Sequence, residues 1–180
     1  AKEMVEQLLS YSRKGGMSKK LVDIKKIFRN AIEDIQPKLP PNINLVHSQD
    51  DNLNLVYGNA NQLMKVILNL ASNAIDAIHA KQGTVTINMQ QIKIERSKSR
   101  LTELNPGDYL KLTVSDDGIG IPENILENIF VPYFTTKEIG QGTGMGLAVV
   151  FGIVKSHQGD IQVQSEPGKG TSFDVFIPIV

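Results

Sequence analysis

Apolar residues recur at helical spacing in some stretches of this chain and alternate at strand spacing in others, and the order of the two periods outlines a fold. Residues 2–13 place Met4, Val5, Leu8, Leu9 and Tyr11 on one helical stripe, ended by Lys14-Gly15-Gly16. A helix so short is marginal alone, so the stripe needs a partner in the domain or in another chain. Residues 21–35 predict a second amphipathic helix, with Leu21, Ile24, Ile27, Phe28, Ile32 and Ile35 inward and Pro37, Pro40 and Pro41 stopping it. Two short alternating runs, 43–47 and 53–57, flank the polar stretch 48–52 and read as a hairpin. A longer helix runs from residue 59 or 60 to about 80, with Asn59 as N-cap and Gly83 as stop. Strand patterns at 84–94 and 109–114 are joined by the charged, turn-rich stretch 95–108. A short helix over 121–130 carries Pro122 in its first turn. A helix over 144–156 turns Leu147, Val150, Phe151 and Val154 inward. Strands at 160–165 and 171–177 close the chain around a Glu166-Pro167-Gly168-Lys169-Gly170 turn. Helices and antiparallel-looking strands alternate, which is a two-layer α/β pattern.

Composition narrows the function. The chain has 180 residues, 41% hydrophobic and 21% charged, enough for a real core in one domain, and shows no internal repeat. Nineteen basic and nineteen acidic residues give a net charge of zero, which argues against binding nucleic acid. The absence of cysteine excludes disulfides and thiolate metal sites. No apolar run approaches the ~20 residues of a membrane span, and no signal peptide is present. The first residues lie mid-way through a helical pattern, so the chain is expected to be part of something longer.

Two glycine clusters carry the candidate chemistry. Asp116-Asp117-Gly118-Ile119-Gly120 follows a strand, and Gly142-Thr143-Gly144-Met145-Gly146-Leu147 opens a helix. Between them lies a polar run, residues 135–141. Glycine recurs where backbone bends sharply or approaches a ligand, and a helix start offers free N–H groups to phosphates. The bland alternative is a pair of glycine turns in an ordinary α+β domain. On the long helix Leu63, Ile67, Leu70, Ala71, Ala74 and Ile78 form the core arc at about 100° per residue, while Gln62, Lys65, Asn69, Asn73 and Asp76 line the opposite side. Such a polar stripe is most often only a solvated face. His47, His79 and His157 are scattered and read as surface or packed residues. Other phosphate signatures fail: Gly168-Lys169 lacks the upstream glycine of a P-loop, and neither G-x-G-x-x-G nor H-E-x-x-H occurs.

What survives is an ordered set. It runs from Asn69-Leu70-Ala71-Ser72-Asn73-Ala74 through Asp116 to Gly120 and Phe130-Val131-Pro132-Tyr133-Phe134-Thr135-Thr136-Lys137 to Gly142 to Leu147. This resembles the N box, first glycine box, F box and second glycine box of the ATP-binding domain of sensor histidine kinases, in the wider family shared with gyrase, heat-shock-90 chaperones and mismatch-repair ATPases. The resemblance covers residues from about 20 to 180. It implies a two-layer α/β sandwich, a mixed sheet packed on about three helices, of the Bergerat ATP-binding type. It implies residues 1–16 as the end of a second dimerisation helix with its linker, and 17–180 as the catalytic domain.

The resemblance also implies roles that the side chains can perform. Asp116 accepts from the exocyclic amine of adenine, where guanine would present an oxo group. Gly118 and Gly120 let the backbone close on the base, and Thr171 supports Asp116 by its family position. Asn73 offers an amide oxygen to Mg²⁺, whose other ligands come from phosphates and water, and Asn69 lies one turn earlier on the same face. Lys137 and the backbone of Gly142, Thr143, Gly144, Met145, Gly146 and Leu147 neutralise the phosphates, with residues 135–141 as a lid. Where ATPase relatives carry a water-activating Glu, this chain has Asn69, and an amide has no useful basicity. Phosphoryl transfer to a protein histidine, with Asn69 and Lys137 as catalytic groups, is therefore favoured over hydrolysis. The sequence departs from the family at Lys65, usually acidic, Gln or His, and at Tyr133, often Phe. No histidine here has an acceptor context, so the acceptor is expected upstream. The implied partners are ATP, the dimerisation domain with that histidine, and a response-regulator receiver domain, with no nucleic acid, no direct membrane contact and a cytoplasmic location. Two other classes remain open: an ATP-gated conformational ATPase, and an interaction module with an empty pocket.

Overall fold

The computed structural model describes residues 18–79, 81–96, 104–136 and 144–179. The expected first helix over 2–13 lies outside them. The chain enters through a short strand β1 (Lys20–Val22) and a helix α1 (Ile24–Ile35). That helix starts at Ile24, not at 21, because Asp23 takes extended backbone and its carboxylate accepts from the N–H groups of Lys25 at 3.0 Å and Lys26 at 3.3 Å. Leu21, expected inward, is consequently a strand residue and 57% exposed, while Ile24, Ile27, Phe28, Ile32 and Ile35 are buried as their spacing requires.

Next come β2 (Ile43–Gln49) and β3 (Val56–Gly58), and they do not form the expected hairpin. β2 runs parallel to β4 (Gly83–Ile94), whereas β3 pairs antiparallel with β1 in a separate two-stranded ribbon. Asp50 shows why: its N–H donates to the Met89 carbonyl at 3.0 Å and its carboxylate accepts from the Gln91 N–H at 3.0 Å. The polar loop is thus spent on the β2–β4 seam and leads the chain away from it. The main sheet is completed by β5 (Gly107–Asp116), β6 (Asp160–Glu166) and β7 (Gly170–Pro178), in the order β2-β4-β5-β7-β6. It is mixed, because only the β2–β4 pair is parallel.

Helix α2 (Ala60–Ala77) has its expected N-cap, the Asn59 side chain accepting from the Gln62 N–H at 3.0 Å. It ends at Ala77 with Ile78 extended, and Gly83 opens β4 instead of stopping the helix. The expected helix over 121–130 shrinks to α3 (Glu123–Leu126), followed by turns in which Asn128 bonds back to Ile125 and Val131 to Asn128. Bonds spaced three residues apart give tight turns rather than a helix that propagates. Helix α4 (Gly146–Ser156) follows.

Parity along the strands assigns the two faces of the sheet. Val85, Ile87 and Met89 on β4, Leu110, Leu112 and Val114 on β5, and Phe173, Val175 and Ile177 on β7 are buried against the helices. Their core includes Leu63, Ile67, Leu70, Ala71, Ala74 and Ile78 from the α2 arc, with Val66 alongside. The opposite face of the sheet is mostly polar, with hydroxyl and amide pairs such as Ser115 with Ser172 and Thr113 with Asp174. The helices cover one face only, which makes the molecule a two-layer sandwich with a mixed sheet, as expected.

Candidate nucleotide-binding site

At one end of the sheet the strand register sets three side chains in a row. Asp116 closes β5 opposite Thr171 of β7, and Thr171 stands opposite Ser165 of β6. Opposed residues share a face, and this row continues the helix-covered side of Val114, Phe173 and Ile161. The Asp116 carboxylate accepts from the Gly118 N–H at 2.8 Å and is also served by the Thr171 N–H. Burial raises its pKa, the two backbone donors pull it down less strongly, and the nearby charges of Asp117 and Lys81 oppose one another. Asp117 turns away and accepts from the Thr84 N–H at 2.8 Å, which fastens the loop to β4.

The loop after Asp116 is wedged between α2 and the β6–β7 turn. A Cβ on Gly118 would lie 2.4 Å from the Ala77 carbonyl oxygen, the same oxygen that accepts from the Ile119 N–H at 3.0 Å. Gly120 has φ 71°, and a Cβ there would lie 2.2 Å from the Glu166 carbonyl oxygen. Only glycine meets both demands at Gly120 without strain. The glycine loop after β5 therefore sits on the end of α2, one turn beyond Asn73.

Asn69 and Asn73 are half-buried on α2, while Lys65 and Asp76 of the same stripe are exposed. The stripe is thus not merely solvated: the Asn69 amide donates to the Gly146 carbonyl at 3.4 Å, at the start of α4. Just before that start Gly144 has φ 68° and clasps Tyr133, whose own φ is 66°. The Tyr133 N–H donates to the Gly144 carbonyl at 3.0 Å, and a Cβ on Gly144 would lie 2.4 Å from the Tyr133 carbonyl carbon. Met145 is the N-cap of α4 and makes no side-chain cap hydrogen bond. Gly146 and Leu147 are in its first turn, where backbone N–H groups point outward along the axis.

Asp116, Gly118, Gly120 and Thr171 therefore meet at one end of α2, and Asn69, Gly144, Met145, Gly146 and Leu147 meet a turn or two earlier. Asn73 lies between the two groups on the same helix. Lys137, Gly142 and Thr143, with residues 138–141 of the expected lid, lie outside the described residues. Among the described residues no group of three or more His, Cys, Asp or Glu could hold a metal ion. The donors that do face this region are neutral amides, which suit a hard cation only when it arrives with oxygen ligands of its own. Sequence reasoning overlooked Ser165, although its parity with Thr171 across a tight turn was readable. It also left His157 without a role, and nothing local in the sequence marks that residue.

A carboxylate held by backbone donors at one end of α2 and a helix start that meets Asn69 on the same helix, in an α/β sandwich, suit an ATP-binding catalytic domain. A family model described as "Histidine kinase-, DNA gyrase B-, and HSP90-like ATPase" matches residues 58–180, and the chain belongs to that family. It is 36% identical to the sensor kinase CckA of Brucella abortus over 179 residues, 99% of this chain and 19% of that protein. It is 33% identical to the sensor histidine kinase ZraS of Escherichia coli over 177 residues, 98% of this chain and 34% of that protein. The chain thus spans between a fifth and about a third of these curated relatives. Among solved structures, the nucleotide-free catalytic domain of histidine kinase ThkA superposes with a TM-score of 0.70 at 26% identity, covering 91% of this chain and 97% of that one. Full-length ShkA in complex with AMPPNP gives 0.71 at 23% identity, covering 91% of this chain and 32% of that one. The chain is an ATPase-family domain of this kind, and it shares its fold with the catalytic domains of histidine kinases.

Proposed function

We propose that this domain holds Mg·ATP between α2 and the two glycine loops and presents the γ-phosphate to a histidine on a dimerisation domain. In this reading Asp116 accepts from the adenine amine, and a hydrogen bond to a charged group is worth about 1.5–3 kcal/mol. Gly118 and Gly120 bring backbone against the base, with Thr171 beside Asp116. Asn73 supplies an amide oxygen toward the cation, and Asn69 stands one turn earlier on the same face, beside the start of α4. Lys137, the glycine backbone from 142 to 144 and the N–H groups at the start of α4 balance phosphate charge. The magnesium ion would neutralise phosphate charge and hold the triphosphate in one geometry. Residues 1–16 supply the end of the dimerisation helix, residues 17–180 the catalytic domain, and a receiver domain takes the phosphoryl group onward.

The observation that carries the reading is the meeting of Asp116, Gly118 and Thr171 at one end of α2 with the start of α4 at Asn69. In the transfer, the bond from the γ-phosphorus to the bridging oxygen breaks as a histidine nitrogen bonds to phosphorus. Positioning and charge neutralisation supply the catalysis, because Asn69 cannot deprotonate water. The test mixes this chain with labelled ATP, magnesium and a separate dimerisation domain bearing the acceptor histidine. Label should accumulate on the added domain and not on this chain. Steady phosphate release without labelling would instead favour the conformational ATPase.

A further inference from the structure

Ser165 is not among the residues assigned to the nucleotide above, yet it is the most heavily bonded hydroxyl at that end of the sheet. Its Oγ lies 2.7 Å from the Ile121 N–H, 3.0 Å from the Gly170 carbonyl oxygen and 2.7 Å from Thr171 Oγ1. Taken together as three hydrogen bonds, these contacts sort into donors and acceptors in one way. A backbone N–H only donates and a carbonyl only accepts, while a serine hydroxyl has one proton and two lone pairs. The single Ser165 proton goes to Gly170, and Ser165 accepts from Ile121. Its remaining lone pair can only accept, so Thr171 is the donor in the Ser165–Thr171 bond. The Thr171 proton is thereby committed away from the cleft, and only its oxygen lone pairs remain for a ligand.

We propose that Ser165 is a positioning residue for base selection: it makes Thr171 an acceptor only, so that Asp116 and Thr171 together offer acceptors and no side-chain donor to the 6-position of a purine. This rests on the reading of the cleft as an adenine site. An exocyclic amine brings the N–H groups that such a floor requires. A 6-oxo group brings only lone pairs and meets two acceptors. Without Ser165 the Thr171 proton has no fixed acceptor and can turn toward an oxo group, so discrimination weakens.

The experiment compares calorimetric dissociation constants for the β,γ-imido analogues of ATP and ITP. Their bases differ at the 6-position, amino against oxo, and at N1, a bare acceptor against an N–H, so the readout is the change in their ratio between variants. The wild-type chain should prefer the amino analogue. In Ser165→Ala the ratio of the two constants should fall about tenfold, the scale of one hydrogen bond to a charged or buried partner. Ser165→Thr, which keeps the hydroxyl, should restore the wild-type ratio. A purely structural role would weaken both analogues together and leave the ratio unmoved, and that result in a folded Ser165→Ala overturns the proposal. If Ser165→Ala gives no cooperative thermal transition, Thr171→Val removes the same acceptor, and an unchanged ratio there is equally fatal. A wild-type chain that binds neither analogue would refute the adenine reading itself, and the role of Ser165 with it.

Discussion

His157 lies where α4 ends against the start of α2, and its ring holds both. Nδ1 is 2.8 Å from the Ile153 carbonyl oxygen and so carries the proton, while Nε2 accepts from the Asn59 N–H at 3.1 Å. A second ring proton would point at a backbone donor. Burial lowers the His157 pKa below its ordinary 6.5, the Ile153 carbonyl opposes this, and the charge of Lys19 adds to it. The unfolded chain therefore takes up the proton first. The stabilisation is complete above 6.5 and is lost as pH falls from there toward the depressed folded value. Denaturant unfolding should show stability dropping as pH falls below 6.5, and His157→Gln should flatten that drop. Asp116 has the opposite sign. Its raised pKa means that ionisation costs the fold once pH exceeds the folded value, so the charge is kept at neutral pH against stability. Asp116→Asn should leave the melting temperature of the ligand-free chain unchanged or higher. Calorimetry on the same variant should show ATP-analogue affinity falling about tenfold or more.

At the scale of elements, the two halves of the cleft are set by different contacts. The half proposed for the base depends on the loop after β5 lying on the last carbonyl of α2, and the half proposed for the phosphates depends on Gly144 clasping Tyr133 before α4 begins. At Gly144, as at Gly118 and Gly120, an added Cβ meets backbone rather than a movable side chain. Gly144→Ala should cost about 1–3 kcal/mol of strain, visible as a lower melting temperature. It should also weaken binding of an ATP analogue while adenosine, which has no phosphates, keeps its affinity. Equal losses for both ligands would show that the two halves are not separable. α2 links them, presenting Asn69 toward α4 and Ala77 toward the base loop.

Across the whole molecule, the helices sit on one face of the main sheet and leave the other largely polar. No helix among the described residues is long and apolar enough to cross a membrane. The small β1–β3 ribbon stands apart from the main sheet and leads out of residues 1–17. The proposal that ATP site and acceptor occupy different domains makes labelling of a separate dimerisation domain the decisive measurement. His157 is buried and doubly hydrogen-bonded, and His47 packs edge-on against Phe28.

Local periodicity and local caps were written in the chain. The core arc of α2, the inward Ile24, Ile27, Phe28, Ile32 and Ile35 of α1, Val150 and Val154 of α4, the Asn59 cap and the order of the glycine clusters follow from spacings that one element satisfies by itself. The class of protein and its candidate residues were legible for the same reason, since the motifs are short. Partner choice was not. Alternation at 43–47 and 53–57 says that each is a strand, but a strand's hydrogen-bonding edges are alike, and only packing sent β2 to β4 and β3 to β1. The start of α1 turned on a competition between helix and ribbon that Asp23 decided. Ser165 and His157 acquired their roles through hydrogen bonds across strands and between helix ends, with His157 reaching 98 residues along the chain to Asn59. Such bonds exist only once register and helix placement are set, so the tertiary structure alone determined them.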